Sequence, residues 1–302
     1  TERAAGLPLY VKYVIGDVLG GKYRVLDGEE ELPDSLHSYH EELLRRLGVG
    51  DLQAVVTPLA AILATAYEPL SVRELVAILV HRKLLTEEGA RQMVEKGLAA
   101  IASMVRSAPD PEGEVGYCLF HQSLRDHMTG SDQMTHSIAT AREAFADLAE
   151  QENQPDVLRN YVFRCGIDHL LEVGRSEEAE RQLLDLDHLS AMVKLGVINK
   201  TLYKYWNVLG GRDQAIKYQV SIDSLQQSPT PDGLSKLSII LGLSQFSYWS
   251  SLSKLALNAE LRIKKEIGLG QIEAVETLLG LANEHMRCEA PNDAYQYLSE
   301  AY

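Results

Sequence analysis

Between Asp51 and Met128, three amphipathic segments are followed by two short apolar runs that flank a turn. This succession constrains the fold more than any other feature of the chain. "DLQAVVTPLAAILATAY" reads as a helix. "EPLSVRELVAILVHR" reads as a second, with Ser71 three residues before Glu74. At that spacing each side chain bonds the other's backbone N–H, the capping box that opens a helix. "LTEEGARQMVEKGLAAIASM" is expected to be a third helix capped by Thr86. "MVRSA", the turn-rich "PDPEGE" and "VGYCLFH" then read as a β-hairpin. Three helices and a hairpin are the order of a winged-helix domain, expected over 51–135. The next helix is expected to begin near Gln122 or Ser123.

Helical periodicity dominates elsewhere. In "LPLYVKYVIGDVL", Leu7, Val11, Val14, Ile15 and Val18 share one face. The pattern stops at Gly20-Gly21, a C-terminal signal. After a polar loop, "SLHSYHEELLRRLG" is a further helix, and residues 1–50 read as a helical segment of their own. From Ser137 only helices are expected. The arm spans 136–232, including "SEEAERQLLDLDHLSAMVKLG" as one stretch, and closes on "SPTPDG" (Ser228–Gly233), which reads as a linker. Over 233–302, "LGLSQ" at 241–245 returns as "LGLAN" at 279–283, a period of 38. Ala256 and Ala294 follow each glycine at the same offset. Small residues at fixed offsets in paired helices point to a helical-hairpin array of the tetratricopeptide kind, whose usual period is about 34. Two similar amphipathic helices would give the same pattern. The expected fold class is therefore mainly α: a winged-helix domain with a small β-hairpin, then a helical-hairpin array. The chain closes inside an amphipathic pattern, "AYQYLSEAY", and is expected to belong to a longer polypeptide.

Several function classes fall away. No run of about 18 apolar residues appears, so no membrane span is expected. The first residues lack the layout of a signal peptide. A net charge of −14 opposes broad binding to a phosphate backbone. Cys118, Cys165 and Cys288 are scattered, with no Cys-x-x-Cys, which fits a reducing cytoplasm. The chain has no Gly-x-x-x-x-Gly-Lys-Ser/Thr loop, so it does not cradle a triphosphate by itself. It has no Gly-x-Ser-x-Gly, no His-Glu-x-x-His and no paired-carboxylate site, and no catalytic residue is expected in it. His37 and His40 share a helix face, but a metal site needs a third ligand. Glu41, Glu42 and the acidic run at 29–31 read as solvated, so no metal is expected. The helix expected over 86–105 carries Glu87, Glu88 and Glu95 against Arg91 and Lys96. A DNA-reading helix needs a surplus of cations, so nucleic acid is an unfavoured partner.

Four stretches are similar to one known family. "GLPLYVKYV" resembles the Gly-x-Pro motif that ends the first helical subdomain of STAND NTPases, the NACHT and NB-ARC class of signalling ATPases. "LPDSLHSYHEELLRRL" is similar to the segment that follows it in many bacterial members. The winged helix falls where the family has one, and "LFHQSLRDHM" ends it as the family's Met-His-Asp motif does. The resemblance spans about 1–135, and the helical tail matches the family's sensor arm more loosely. It implies that Pro8 packs against an adenine base and that His121 reaches the β-phosphate of bound ADP. Each residue also has an ordinary structural role open to it, Pro8 in a first helical turn and His121 as a lone satisfied imidazole. Phe120 and Gln122 stand where the eukaryotic motif has Met and Asp. The resemblance further implies ADP or ATP with Mg2+, held by a preceding nucleotide-binding domain and not by this chain alone. It implies ATPase activity in the full-length protein, a ligand or protein partner on the helical repeats, homo-oligomerisation on activation, and a cytoplasmic setting such as bacterial defence or signal transduction. Two other readings stay open: a winged-helix DNA-binding regulator with a helical sensor tail, and a plain helical scaffold for protein interaction.

Overall fold

A computed structural model describes residues 15, 35–47, 52–151, 154–211, 213, 216–268, 277–281 and 283–284. The described chain is mainly helical with one small antiparallel sheet. It divides into two units between Tyr161 and Val162.

The first unit is organised around helix α2 (Gln53–Thr65). Its sequence is apolar on nearly every side, and from Leu59 to Thr65 every residue is buried. Around it pack α1 (Leu36–Leu47), α3 (Val72–His81), α4 (Ala90–Ala100), α5 (Gln122–Gly130) and α6 (Thr135–Glu150). Gly97 lets α4 come close, since a Cβ there would lie 3.1 Å from the Leu59 side chain. The α6 face toward α2 is rich in alanine, with Ala141, Ala144 and Ala149 buried beside Ile138, Phe145 and Leu148. The unit therefore continues past residue 135, through α6 and into the start of α7 (Asp156–Glu172), where the Tyr161 hydroxyl accepts from the Tyr67 N–H at 3.2 Å.

The expected hairpin is present. Strands β2 (Val105–Pro109) and β3 (Val115–Leu119) pair antiparallel from Val105↔Leu119 to Pro109↔Val115. Asp110 holds the turn by accepting from the N–H groups of Glu112 and Glu114 at 2.9 and 2.8 Å. The capping box is also present: Ser71 N–H donates to Glu74 Oε2 at 2.7 Å, and Glu74 N–H donates to Ser71 Oγ at 3.3 Å. A two-residue strand not foreseen, β1 (Leu70–Ser71), completes a sheet of order β1-β3-β2. Gly116 permits this pairing, because a Cβ there would lie 2.8 Å from Pro69 Cβ.

One helix start needs correction. Thr86 does not cap the third helix, which begins at Ala90 behind Gly89. Gly89 has φ +76, a left-handed conformation that interrupts a right-handed helix. The Thr86 hydroxyl instead donates to the Glu88 carbonyl.

The second unit contains the rest of α7, α8 (Ser176–Leu184), α9 (Leu186–Lys194), α10 (Asn199–Val208), α11 (Tyr218–Gln227), α12 (Pro231–Phe246) and α13 (Ser250–Glu266). The stretch expected as one helix over 176–196 breaks at Asp185. That carboxylate accepts from the N–H groups of Asp187 and His188 and so caps α9. Ser228–Gly233 is not a linker but a helix start. Thr230 Oγ1 accepts from Gly233 N–H at 3.0 Å, and Pro231 takes the first helical position, where no N–H is needed. Helices α12 and α13 form a hairpin joined inside by the Ser253 hydroxyl donating to Ser244 Oγ at 2.9 Å. Both glycines of the 38-residue period sit at close helix approaches. A Cβ at Gly242 would meet Asn199 at 3.0 Å, and one at Gly280 would meet Leu257 at 3.1 Å. Ala294 lies outside the described residues.

Candidate functional site

Of the two residues singled out for nucleotide contact, Pro8 lies outside the described residues. His121 joins β3 to α5. Next to it Phe120 is buried, and its N–H donates to the Met104 carbonyl at 3.0 Å, which ties this junction to the turn that leads into β2. His121 is extended and caps α5: its Nδ1 accepts from the Ser123 N–H at 3.0 Å and lies 2.7 Å from Ser123 Oγ. An imidazole nitrogen that accepts carries no proton, so the neutral ring bears its proton on Nε2. Among the described residues that Nε2–H has no partner, and the side chain is exposed. The local sequence thus does two things at once. It gives a helix start its cap, and it leaves one N–H donor pointing away from that cap.

His121 lines a surface cleft of about 320 Å³ in the first unit. Gln122 and Arg125 enter it from α5, Arg106 from β2, and Glu68 from the segment before β1. Arg125 is spent on structure, donating to the Ala66 carbonyl at 2.7 Å where α2 ends. Gln122 donates to Asp126 at 2.7 Å. Arg106 is exposed and has no ion-pair partner among the described residues. The cleft therefore offers an imidazole N–H and a guanidinium without an ion-pair partner among the described residues, both donors suited to a phosphate-type anion, at the positive end of a helix. Glu68 is the one carboxylate in the lining. Nothing in the sequence signalled Arg106, because its membership depends on the register that sets Arg106 opposite Cys118.

The histidines expected to share a face of α1 do so, and the structure adds a third. His127, in the last turn of α5, lies with its ring centroid 4.8 Å from His37 and 5.4 Å from His40. His40 is 3% exposed, and its Nε2 is buried with no hydrogen-bond partner among the described residues. Burial, with His127, His121 and His37 nearby, pushes the His40 pKa down from 6.5 to about 4. His127 is shifted down by burial and by His37, while Glu41 pulls it up. His37 Nε2 sits 3.3 Å from Glu41, and Glu42 holds Arg45 through two 2.7 Å bonds. Among the described residues no group of histidine, cysteine, aspartate or glutamate is arranged to hold a metal ion. The acidic run at 29–31 and Cys288 lie outside the described residues, and Cys165 is buried.

On α4, Arg91 is paired with Glu95 at 2.9 Å. No helix among the described residues is long and apolar enough to cross a membrane. Comparison with known protein families, with curated proteins and with solved structures finds no match to this chain.

Proposed function

We propose that this chain is the regulatory and sensor part of a STAND-type signalling switch. In this reading the first unit contains a winged helix, and His121 is its contact to the β-phosphate of ADP. The observation that carries the reading is the state of His121: Nδ1 is committed to the helix cap, and Nε2–H lies in a cleft where neither it nor Arg106 has a partner among the described residues. The order of helix, short strand, two helices and hairpin, with β3 central, supports the winged-helix reading. The α12–α13 hairpin and the two glycines 38 residues apart support a tetratricopeptide-like arm that takes a ligand or protein partner. A preceding nucleotide-binding domain would supply the triphosphate loop, Mg2+ and ATPase chemistry. A cytoplasmic setting and oligomerisation on activation belong to the same proposal.

This chain's residues would act by donation and by position. His121 donates through Nε2 to an anionic oxygen, Arg106 adds a charge-assisted bond, and the first turn of α5 faces the same charge. Losing these donors loosens the resting state, a two-state element biased by a bound ligand. DNA reading is less well supported, since Arg91 on α4 is already neutralised by Glu95.

The test uses the full-length protein that contains this chain. Retained nucleotide is identified after denaturation, and release of a fluorescent ADP is timed in wild type, His121→Ala and His121→Asn. Asparagine still caps a helix but does not reach as far. Release at least about tenfold faster in both variants supports the phosphate role, the size expected for one charge-assisted bond. Unchanged release in both ends it. Faster release in alanine alone makes His121 a cap and nothing more.

A further inference from the structure

We propose that the three-histidine contact between α1 and α5 is an acid-sensitive latch: mild acidification charges the imidazoles, and α1 separates from α5. The inference does not depend on the nucleotide reading.

The geometry places His37 and His40 of α1 against His127 of α5 at ring distances of 4.8 and 5.4 Å. Rings this close pack well while neutral and repel once protonated. His40 bears the consequence most directly. It is buried, and among the described residues its Nε2 has no acceptor and a proton added there finds no anion.

Among the charged groups on the packed elements, Glu41 favours a proton on His127, but every influence on His40 lowers its pKa. On α1, Glu41 is beside His37, and Glu42 is neutralised by Arg45. On α5, Asp126 accepts from Gln122, Arg125 adds positive charge, and His121 disfavours a proton on His40. Asp132, on the 3-10 turn after α5, is exposed. Helix α2, which also packs on α1, contains no titratable residue.

The sign follows from linkage. A histidine held at about 4 in the closed contact and at its ordinary 6.5 when released binds more protons in the released form. The closed contact is therefore intact above about pH 6.5 and weakens as pH falls toward 4. At pH 5.5, His40 alone shifts the balance toward release by about tenfold relative to pH 7.5. Burial is its first cause, so removing His40 removes most of the response, whereas removing His127 removes a smaller part.

Hydrogen exchange on the 302-residue chain, corrected for intrinsic rates, reads this directly. Between pH 7.5 and 5.5 the protection of α1 amides is expected to fall about tenfold. The second unit is no neutral reference, because burial also holds His169 and His188 there below 6.5, so the comparison is made with a variant of His40. In His40→Leu, which keeps the site filled and apolar, the α1 fall shrinks below about threefold. No fall in wild type, or an undiminished fall in His40→Leu, would overturn the latch. Should that variant not fold, ring-proton NMR of the wild type decides. A His40 midpoint well below 6.5 upholds the proposal, and a midpoint at 6.5 refutes it.

Discussion

The two units solve the burial problem differently. The first wraps five helices and a sheet around one apolar helix, and its polar chemistry lies at the margins: the His121 cleft and the histidine contact between α1 and α5. The second buries its polar anchors. Trp206 Nε1 donates to the Tyr218 hydroxyl at 3.3 Å, and that hydroxyl donates to the Leu183 carbonyl at 2.6 Å. The Tyr205 hydroxyl donates to Asp168 at 2.6 Å. An apolar hub is tolerant of direction, since burial has none, whereas a buried hydrogen bond fixes one helix against another. In the first unit the described histidines and arginines lie on the elements around the hub and not in the hub itself. In the second, polar side chains are used to set helix register.

The largest expected effect is in the hub. Leu59 is fully buried, touches the close approach of Gly97, and belongs to the helix on which α1, α4, α5 and α6 all pack. Leu59→Ala is expected to destabilise the first unit by about 2–5 kcal/mol. In thermal unfolding followed by hydrogen exchange, the loss should appear in α2, α4 and α6 while α11–α13 keep their protection. An equal loss in α12 would show that the two units unfold as one.

The counterpart in the second unit is Tyr218→Phe. The substitution keeps the ring between Trp206 and its neighbours and removes only the hydroxyl, which leaves the Trp206 N–H and the Leu183 carbonyl without that partner. A cost of about 1–3 kcal/mol is expected, confined to α8, α10 and α11. Phenylalanine without cost would mean that packing alone holds this unit, and the contrast with the first would fail.

What the sequence made legible was local. The Ser71–Glu74 box and the hairpin about Asp110–Gly113 are set by residues within four positions of one another, and both are found as expected. What it hid was non-local or too short to be periodic. His127 joins His37 and His40 from some 90 residues away, and no spacing rule links α1 to α5. Strand β1 has two residues, too few for alternation to show. Gly89 passed for a helix interior because a glycine's left-handed φ leaves no mark on hydrophobic period. His121 is singled out in the sequence by a resemblance, and its part as the cap of α5 is visible only with the Ser123 N–H in view.

The smallest effect tests a boundary. Ser228–Gly233 has the composition of a linker, yet Thr230 caps α12 and Pro231 occupies its first position. A linker tolerates loss of a hydroxyl, and an N-cap does not. Thr230→Ala should cost about 1 kcal/mol, with faster exchange in the first turn of α12. Thr230→Ser, which keeps the acceptor, should recover most of it. The first unit should register nothing, because its helices take no bond from this cap. If alanine and serine behave alike, the helix start is held by burial of Gly233 and Leu237 and not by the hydroxyl. The second unit would then rest, at this point, on the same apolar logic as the first.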